Sequence, residues 1–205
     1  MNNHQDIINA SCTITRGKVF KNGKLIFESE ATPVFDFLPK IYDFLTPDYP
    51  KFYKMDNLSK LGWLATEVLL GGKSGANLYP PEKTAVVLSN SNSSLDTDLR
   101  YFQTVTDYPS PSLFVYTLPN IVIGEICIRH KFQGENAFFV FEKFEPDFIC
   151  DYTSALLHNG SADFCICGWV ELLADQYKAT LCLVAKNGSG IAFNSANMLT
   201  IFNLE

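Results

Sequence analysis

The stretch that decides the fold is Ala137-Phe138-Phe139-Val140-Phe141, which Glu145-Pro146-Asp147 follows after three residues. A short apolar run bounded by polar residues predicts a strand. Proline beside acidic residues is typical of the first turn of a helix. Apolar residues then recur at helical spacing as far as Leu156, and the helix is expected to end at His158. The stretch therefore predicts a strand that turns directly into a helix.

The segments on both sides repeat this alternation of strand and helix. Asp56 can cap a helix whose apolar residues share one face. Gly71-Gly72 would end this helix. Asn22-Gly23 predicts a tight hairpin close to the N-terminus. Apolar runs predict further strands at residues 7–15, 84–89, 163–170, 178–185 and 199–204.

A polar loop at residues 90–94 precedes a second amphipathic segment. The loop can cap a helix that carries Leu95, Leu99 and Phe102 on one side. Strands that alternate with helices predict an α/β domain with a mixed sheet of five or slightly more strands and helices on both faces. The last strands are expected to add an antiparallel edge. Because no linker or internal repeat divides the chain, residues 1–205 are expected to form a single domain.

Composition excludes several classes of function. The chain has 205 residues, 47% of them hydrophobic, and a formal net charge of -6, which argues against binding nucleic acid. No apolar run approaches the roughly 20 residues that span a bilayer, and the polar N-terminus does not resemble a signal peptide. We therefore expect a cytoplasmic protein with no membrane span.

The six cysteines lie mostly inside apolar runs rather than in a disulfide framework. Cys165 and Cys167 would share one face of a strand, so a metal pair is conceivable. Buried, reduced thiols are the favoured interpretation, because no histidine or acidic cluster stands nearby in the sequence. We expect no metal and no cofactor.

Several motifs resemble the β-ketoacyl synthases of the thiolase fold. Lys54-Met55-Asp56 is similar to the basic-Met-Asp opening of a helix in that family. The segment from Pro111 to Asn120, followed by Gly124-Glu125-Ile126, resembles the family's proline-asparagine turn. Further motifs match its Gly-Asp-Ala-Asp strand and terminal Gly-Gly-Ala-Glu, at Gly160-Ser161-Ala162-Asp163, Gly168 and Glu171. The resemblance implies the N-terminal half of a thiolase-like fold.

The resemblance fails at the family's nucleophile. Counted without gaps from Gly134 and Gly160, the family's Thr-Ala-Cys-x-Ser segment falls on residues 141–145, so Lys143 stands where the cysteine should be. A condensing enzyme needs a thiolate there, at a helix N-terminus, and the flanking Glu142 and Glu145 would disfavour an anion. No catalytic residue is therefore expected.

The histidines do not repair this loss. The family's two catalytic histidines come from the second half of the fold, and His4, His130 and His158 do not replace them. His130 is expected to be solvated, and His158 to interact with the dipole of its helix. A desolvated Lys143 could form Schiff bases. The neighbouring carboxylates favour its charged form instead, so a surface or salt-bridged lysine is the preferred interpretation.

A half fold would leave an apolar helix face open to water, and such faces usually mark interfaces. In the family, the strand before the nucleophile pairs across the dimer axis, and this strand is expected to be the interface here: Ala137, Phe138, Phe139, Val140 and Phe141. A central strand buried on both sides would have the same composition.

The sequence thus leaves three hypotheses. The first is a non-catalytic ketosynthase-like subunit, of chain-length-factor or scaffold type, in fatty-acid or polyketide (pigment) biosynthesis. It would associate with itself or with a full-length ketosynthase, and an acyl carrier protein is a further candidate partner. Its family label would be 3-oxoacyl-[acyl-carrier-protein] synthase-like. The second is an accessory acyl-thioester enzyme, a decarboxylase or acyl transferase, that uses a residual pocket. The third is an unrelated α/β binding module, whose helix after residue 145 would not pack against the sheet.

Overall fold

The computed structural model describes residues 5–30, 33–72 and 74–205. Its strands are β1 (Ile7–Thr15), β2 (Lys18–Lys21), β3 (Lys24–Glu28), β4 (Thr84–Asn90), β5 (Asn136–Val140), β6 (Phe164–Leu173), β7 (Gln176–Ala185) and β8 (Ile191–Ala192). Its α-helices are α1 (Val34–Leu45), α2 (Asn57–Leu70), α3 (Leu95–Val105), α4 (Pro111–Phe114), α5 (Ile121–His130), α6 (Pro146–His158) and α7 (Ser195–Phe202). Among these described residues, no helix is both long enough and apolar enough to cross a bilayer.

The strands form one mixed sheet in the order β3-β2-β1-β7-β6-β4-β5, with β8 paired to the beginning of β1. β4 pairs in parallel with β5 and β6, whereas the pairs from β6 to β3 are antiparallel. The predicted mixed sheet is confirmed, and it is larger than five strands. The predicted antiparallel edge is wrong in position: β6 and β7 lie inside the sheet because β1 pairs with the far side of β7. The pairing of β1 with β7 joins segments near the two ends of the chain, and no local sequence pattern predicts it.

Helix α2 follows the prediction closely. The Asp56 carboxylate accepts a hydrogen bond from the Ser59 backbone N–H at 3.0 Å, which caps the helix, and Gly71 ends it in the left-handed conformation. Every residue of α2 except Asn57 and Lys60 is buried. Gly62 permits this depth, since a Cβ there would lie 2.4 Å from a methyl group of Val122 on α5.

Helices cover both faces of the sheet, as predicted. Side chains of α1, α2 and α5 share one hydrophobic core with the sheet, and side chains of α6 and α7 share a second core on the opposite face. α6 packs against β4 and β6. An unrelated binding module was expected to have a helix after residue 145 that does not pack on the sheet. This expectation is wrong, because α6 packs on the sheet.

The strand predicted at residues 199–204 is wrong, because this segment belongs to helix α7 and its end. Asn194 caps α7: its side-chain oxygen accepts a hydrogen bond from the Asn197 backbone N–H at 2.9 Å. Met198 and Ile201 are buried one helical turn apart. A short apolar run fits either a strand or a helix by periodicity, and here the cap decides between them.

The apolar helix face that a half fold is expected to leave open to water does not lie on α6. Apart from Phe148, its outward positions are polar or small, and its other apolar side chains face the sheet and α7. The exposed residues are Asp147, Phe148, Asp151, Ala155 and His158. Phe148, which is 39% exposed, is the large apolar side chain among them. α7 lies beside α6 on the same sheet face and helps to complete this core.

Candidate functional site

The candidate site lies at the carboxyl ends of β4, β5 and β6. Because these strands are parallel, their carboxyl ends meet at one edge of the sheet, where ligands of α/β proteins usually bind. The loop after β5 is fixed to the end of β4, because the Phe141 backbone N–H donates to the Asn90 carbonyl oxygen at 2.9 Å. This loop carries the three residues that the resemblance assigns to the nucleophile region.

Lys143 and its acidic neighbours lie together on the surface of that loop. The Lys143 side chain is 80% exposed, and its Nζ lies 3.9 Å from Glu145 Oε1. Glu142 is exposed and Glu145 is half-buried. Lys143 therefore lacks the burial that would make its amine a nucleophile, and an exposed ion pair of this kind contributes little to stability.

Aromatic side chains pack around Phe144, the residue that follows Lys143. Phe144 is buried and stacks on Phe202 of α7, with ring centroids 4.6 Å apart, and it meets the edge of Trp169 at 5.8 Å. The Lys178 ammonium lies over the Phe202 ring at 4.4 Å. No sequence pattern predicted this cluster, because Phe202 reaches it only through helix α7, which was not expected.

An open depression of about 430 Å³ lies beside the aromatic cluster. Its lining is mostly charged and includes Arg16, Glu171, Asp175 and Lys178. Glu171 is held in place by the loop after β4: its Oε2 accepts hydrogen bonds from the Ser91 backbone N–H at 2.6 Å and the Ser91 hydroxyl at 2.5 Å. Glu171, which the resemblance matches to the family's terminal Gly-Gly-Ala-Glu motif, thus anchors the loop after β4.

The thiols of this region are buried. Cys150 lies in the second turn of α6, and burial raises the pKa of its thiol to about 12. Cys165 and Cys167 share one face of β6, as predicted, and both are buried. The Cys165 side chain, together with burial, raises the pKa of the Cys167 thiol well above its ordinary value. Across residues 5–30, 33–72 and 74–205, no group of three or more potential ligands is arranged to hold a metal ion.

The expectation of a solvated His130 is wrong. Its side chain is fully buried, Nδ1 accepts a hydrogen bond from the Gly75 backbone N–H at 3.2 Å, and Nε2 lies 3.4 Å from Glu67 Oε1. Burial, and secondarily the Arg129 charge, lower the pKa of His130 to about 4. Arg129 Nε binds the same Glu67 oxygen at 2.8 Å. The adjacent polar residues Arg129 and His130 contain no sequence pattern that predicts their common position beside the buried carboxylate of Glu67.

Neither described histidine lies at the candidate site. His130 belongs to the core formed by α2 and α5 on the opposite face of the sheet from α6. His158 ends α6, roughly 18 Å along the helix from its first residue. It does lie in the last turn, and its Nε2 is 3.0 Å from Asp6 Oδ1. His4 lies outside the described residues.

The strand predicted as an interface is an edge strand. β5 ends the strand order and pairs with β4 alone among the described strands, so the alternative of a central strand is wrong. Val140 is 52% exposed. On the α6 side of the sheet, Phe139 and Phe141 pack against Phe148 with ring centroids 4.8 and 5.0 Å away. The exposed edge thus has aromatic side chains beside it.

No protein-family model matches the sequence, and no curated protein matches it. Several solved structures, in contrast, are similar to this chain. "The ishigamide ketosynthase/chain length factor" is 16% identical with a TM-score of 0.63, over 88% of this chain and 62% of that one. A structure of the ketosynthase ApeO in complex with its chain length factor ApeC, from Xenorhabdus doucetiae, matches at 12% identity and a TM-score of 0.59, over 90% of this chain and 80% of that one.

A β-ketoacyl synthase from Burkholderia phymatum STM815 is likewise similar, at 12% identity and a TM-score of 0.58, over 89% of this chain and 59% of that one. This chain thus spans about three fifths of the length of the first and third of these structures. At such low identity the likeness defines the fold, and it confirms the fold that the sequence motifs implied. The chain has the thiolase-like fold of the β-ketoacyl synthases over part of their length.

Proposed function

We propose that this chain is a non-catalytic ketosynthase-fold subunit, of chain-length-factor or scaffold type, in fatty-acid or polyketide (pigment) biosynthesis. It acts in the cytoplasm by associating with a full-length ketosynthase or with a second copy of itself. An acyl carrier protein would deliver acyl groups to the full-length partner. The observation that carries the proposal is the exposed Lys143 at the junction of β5 and α6.

The chemistry at this junction supports a subunit that does not condense acyl groups. The resemblance assigns residue 143 to the nucleophile, and an amine cannot form the exchangeable thioester that a thiolate forms. Cys150 is the thiol on α6, and its raised pKa of about 12 keeps it protonated at neutral pH. Phe144, the residue after Lys143, packs against the aromatic rings of Trp169 and Phe202.

The similar structures support a partner of the same fold. One is a ketosynthase with a chain length factor, and another is ApeO in complex with ApeC. The shares of 90% and 80% mean that the matched chain of the second complex is only about one eighth longer than this chain. A ketosynthase-fold chain of nearly this size therefore occurs in a ketosynthase complex.

The edge strand β5 supplies the means of association. Among the described strands it has one neighbour, so the backbone groups on its other side are available to pair with a strand of another chain. Val140 and Phe148 are exposed beside this edge and would be covered by such a pairing. We therefore assign the interface to Ala137, Phe138, Phe139, Val140 and Phe141.

The test is co-expression with each full-length ketosynthase encoded in the source genome, followed by co-purification and light scattering. A stable complex is expected with at least one of them, or a dimer of this chain alone. Val140→Lys should weaken the association at least about 10-fold, because an ammonium would lose its hydration at the interface. The matched control is Leu25→Lys, at a similarly exposed position on the opposite edge strand β3.

A chain that stays monomeric with every ketosynthase, or a Val140→Lys variant that binds like the wild type, contradicts this assignment. The accessory-enzyme alternative makes a different prediction, namely turnover of malonyl thioester that Lys143→Ala abolishes. We expect Lys143→Ala to leave both the association and the activity of the complex unchanged, because Lys143 is exposed and its closest ionic partner is the neighbouring Glu145.

A further inference from the structure

Helix α3 presents its apolar side to solvent. Leu95, Leu99 and Phe102 lie on one face at the i, i+4, i+7 spacing, and their exposed fractions are 38%, 52% and 73%. The one buried residue of this helix is polar, Thr97, on the opposite face. A surface helix normally buries its apolar stripe, so α3 is inverted relative to the usual arrangement.

Polar contacts on the inner side hold α3 in this orientation. The Thr97 hydroxyl donates to Asp56 Oδ2 at 2.8 Å, and the Ala174 backbone N–H donates to Asp96 Oδ1 at 2.9 Å. The Ser94 hydroxyl donates to the Thr117 carbonyl oxygen at 2.9 Å. These bonds link α3 to the beginning of α2, to the turn between β6 and β7, and to the segment after α4. The outward position of the apolar stripe is therefore built into the fold.

Helix α4 extends the stripe into a larger surface. The rings of Tyr101 and Phe114 lie 5.4 Å apart, and both line an open apolar depression of about 250 Å³. Phe114 and Val115 are 60% and 53% exposed. We call this the α3–α4 surface, with six exposed apolar residues: Leu95, Leu99, Phe102, Val105, Phe114 and Val115.

The α3–α4 surface is large for a single chain. With side chains of about 150 to 250 Å² for aromatic residues and somewhat less for aliphatic ones, the exposed parts of the six residues sum to roughly 550 Å². Apolar patches of this size are at the upper limit for a typical monomer and usually mark interaction sites. A stable interface buries about 800 Å² per partner, so this surface supplies most of one, and the β5 edge can supply the remainder.

We infer that the α3–α4 surface is a second docking surface for the full-length ketosynthase partner, an inference that rests on the proposed function. The two surfaces lie close together along the chain fold. α3 begins five residues after Asn90, and the Asn90 carbonyl oxygen accepts a hydrogen bond from Phe141 at the end of the β5 strand. One partner chain that pairs with β5 can therefore also cover α3.

Charge favours a different chain over a second copy as the occupant. Asp96 and Asp98 lie on α3 and Asp107 follows it, against the single cation Arg100. Self-association through this surface would bring two acidic rims together on chains that each carry a net charge of -6. A partner with basic residues around an apolar centre fits the surface better.

The experiment measures the affinity of this chain for the ketosynthase that co-purifies with it. Phe102→Glu and Leu99→Glu should each weaken binding at least about 10-fold, because a carboxylate would be buried against apolar side chains. The matched control is Phe35→Glu, on α1 and 60% exposed, which should bind like the wild type. Thermal melting of all three variants should match the wild type, since each position is solvent-exposed in the free chain.

The outcomes separate this inference from the proposed function. If the wild type binds a ketosynthase and Phe102→Glu binds it equally well, the second docking surface is refuted while the proposed function stands. A wild type that binds none of the ketosynthases and remains monomeric refutes both. If Phe102→Glu abolishes a dimer of this chain and leaves ketosynthase binding intact, the chosen partner is wrong.

Discussion

Helices α2 and α3 look alike in sequence and differ completely in the structure. Each follows a polar capping segment and carries an apolar stripe at helical spacing. α2 is buried except for Asn57 and Lys60, whereas α3 buries Thr97 alone. The Asp56 carboxylate lies between them, with Oδ1 capping α2 and Oδ2 accepting from Thr97 of α3. An amphipathic pattern thus shows that a face must be covered, and it does not show whether the same chain covers it.

The largest difference between the two helices is expected for truncation of a leucine. Leu64→Ala on α2 should lower the free energy of unfolding by about 3 to 4 kcal/mol, because Leu64 is fully buried and its removal leaves a cavity. Leu99→Ala on α3 should change it by less than about 0.5 kcal/mol, since Leu99 is half-exposed and alanine favours helices. Urea unfolding of the isolated chain measures both values. Equal losses at the two positions would mean that α3 is covered in the free chain and would remove the basis of the docking surface.

A smaller difference is expected in the response to pH, because the α2 side contains a buried histidine. Burial and Arg129 lower the pKa of His130 from its ordinary value near 6.5 to about 4. Between these values the unfolded chain binds more protons than the folded one, so the free energy of unfolding falls as the pH falls. From pH 7 to pH 5 the loss from His130 should be about 2 kcal/mol.

Unfolding measured at both pH values tests this expectation. His130→Gln should remove most of the loss, because glutamine can still accept from Gly75 and does not titrate in this range. Leu99→Ala should keep the wild-type loss, since the α3 surface contains no histidine. A pH dependence that His130→Gln leaves unchanged would assign the effect to other groups and would show that His130 is not held neutral by its burial and the Arg129 charge.

Local patterns predicted the elements that are determined by adjacent residues. The Asp56 cap, the Asn22-Gly23 hairpin and the strand-to-helix unit around Lys143 are all present where the sequence indicated them. In the hairpin, Asn22 and Gly23 both adopt positive φ angles, of 50° and 75°, as a tight turn of this type requires. Each of these features depends on contacts within a few residues, which a sequence pattern can report.

Features that depend on contacts between distant segments could not be predicted in this way. β1 pairs with β7 across the whole chain, which moved the antiparallel pair away from the edge. His130 is buried because Glu67 and Gly75, far from it in sequence, surround it. The α3 stripe points outward because Thr97 meets Asp56 on another helix. The same limit applies to the candidate site: the position of Lys143 was predictable, and the aromatic cluster built on Phe202 was not.

The smallest expected effect tests why α3 faces outward. Thr97→Val keeps the shape of the side chain and removes the hydroxyl that donates to Asp56 Oδ2 at 2.8 Å. Because Asp56 is buried and loses a partner, the free energy of unfolding should fall by about 1.5 to 2 kcal/mol, as for other hydrogen bonds to buried carboxylates. Thr97→Ser, which restores the hydroxyl, should recover most of this loss. If Thr97→Val unfolds like the wild type, the bond to Asp56 does not orient α3, and the outward stripe would depend on the Ser94 and Asp96 contacts instead.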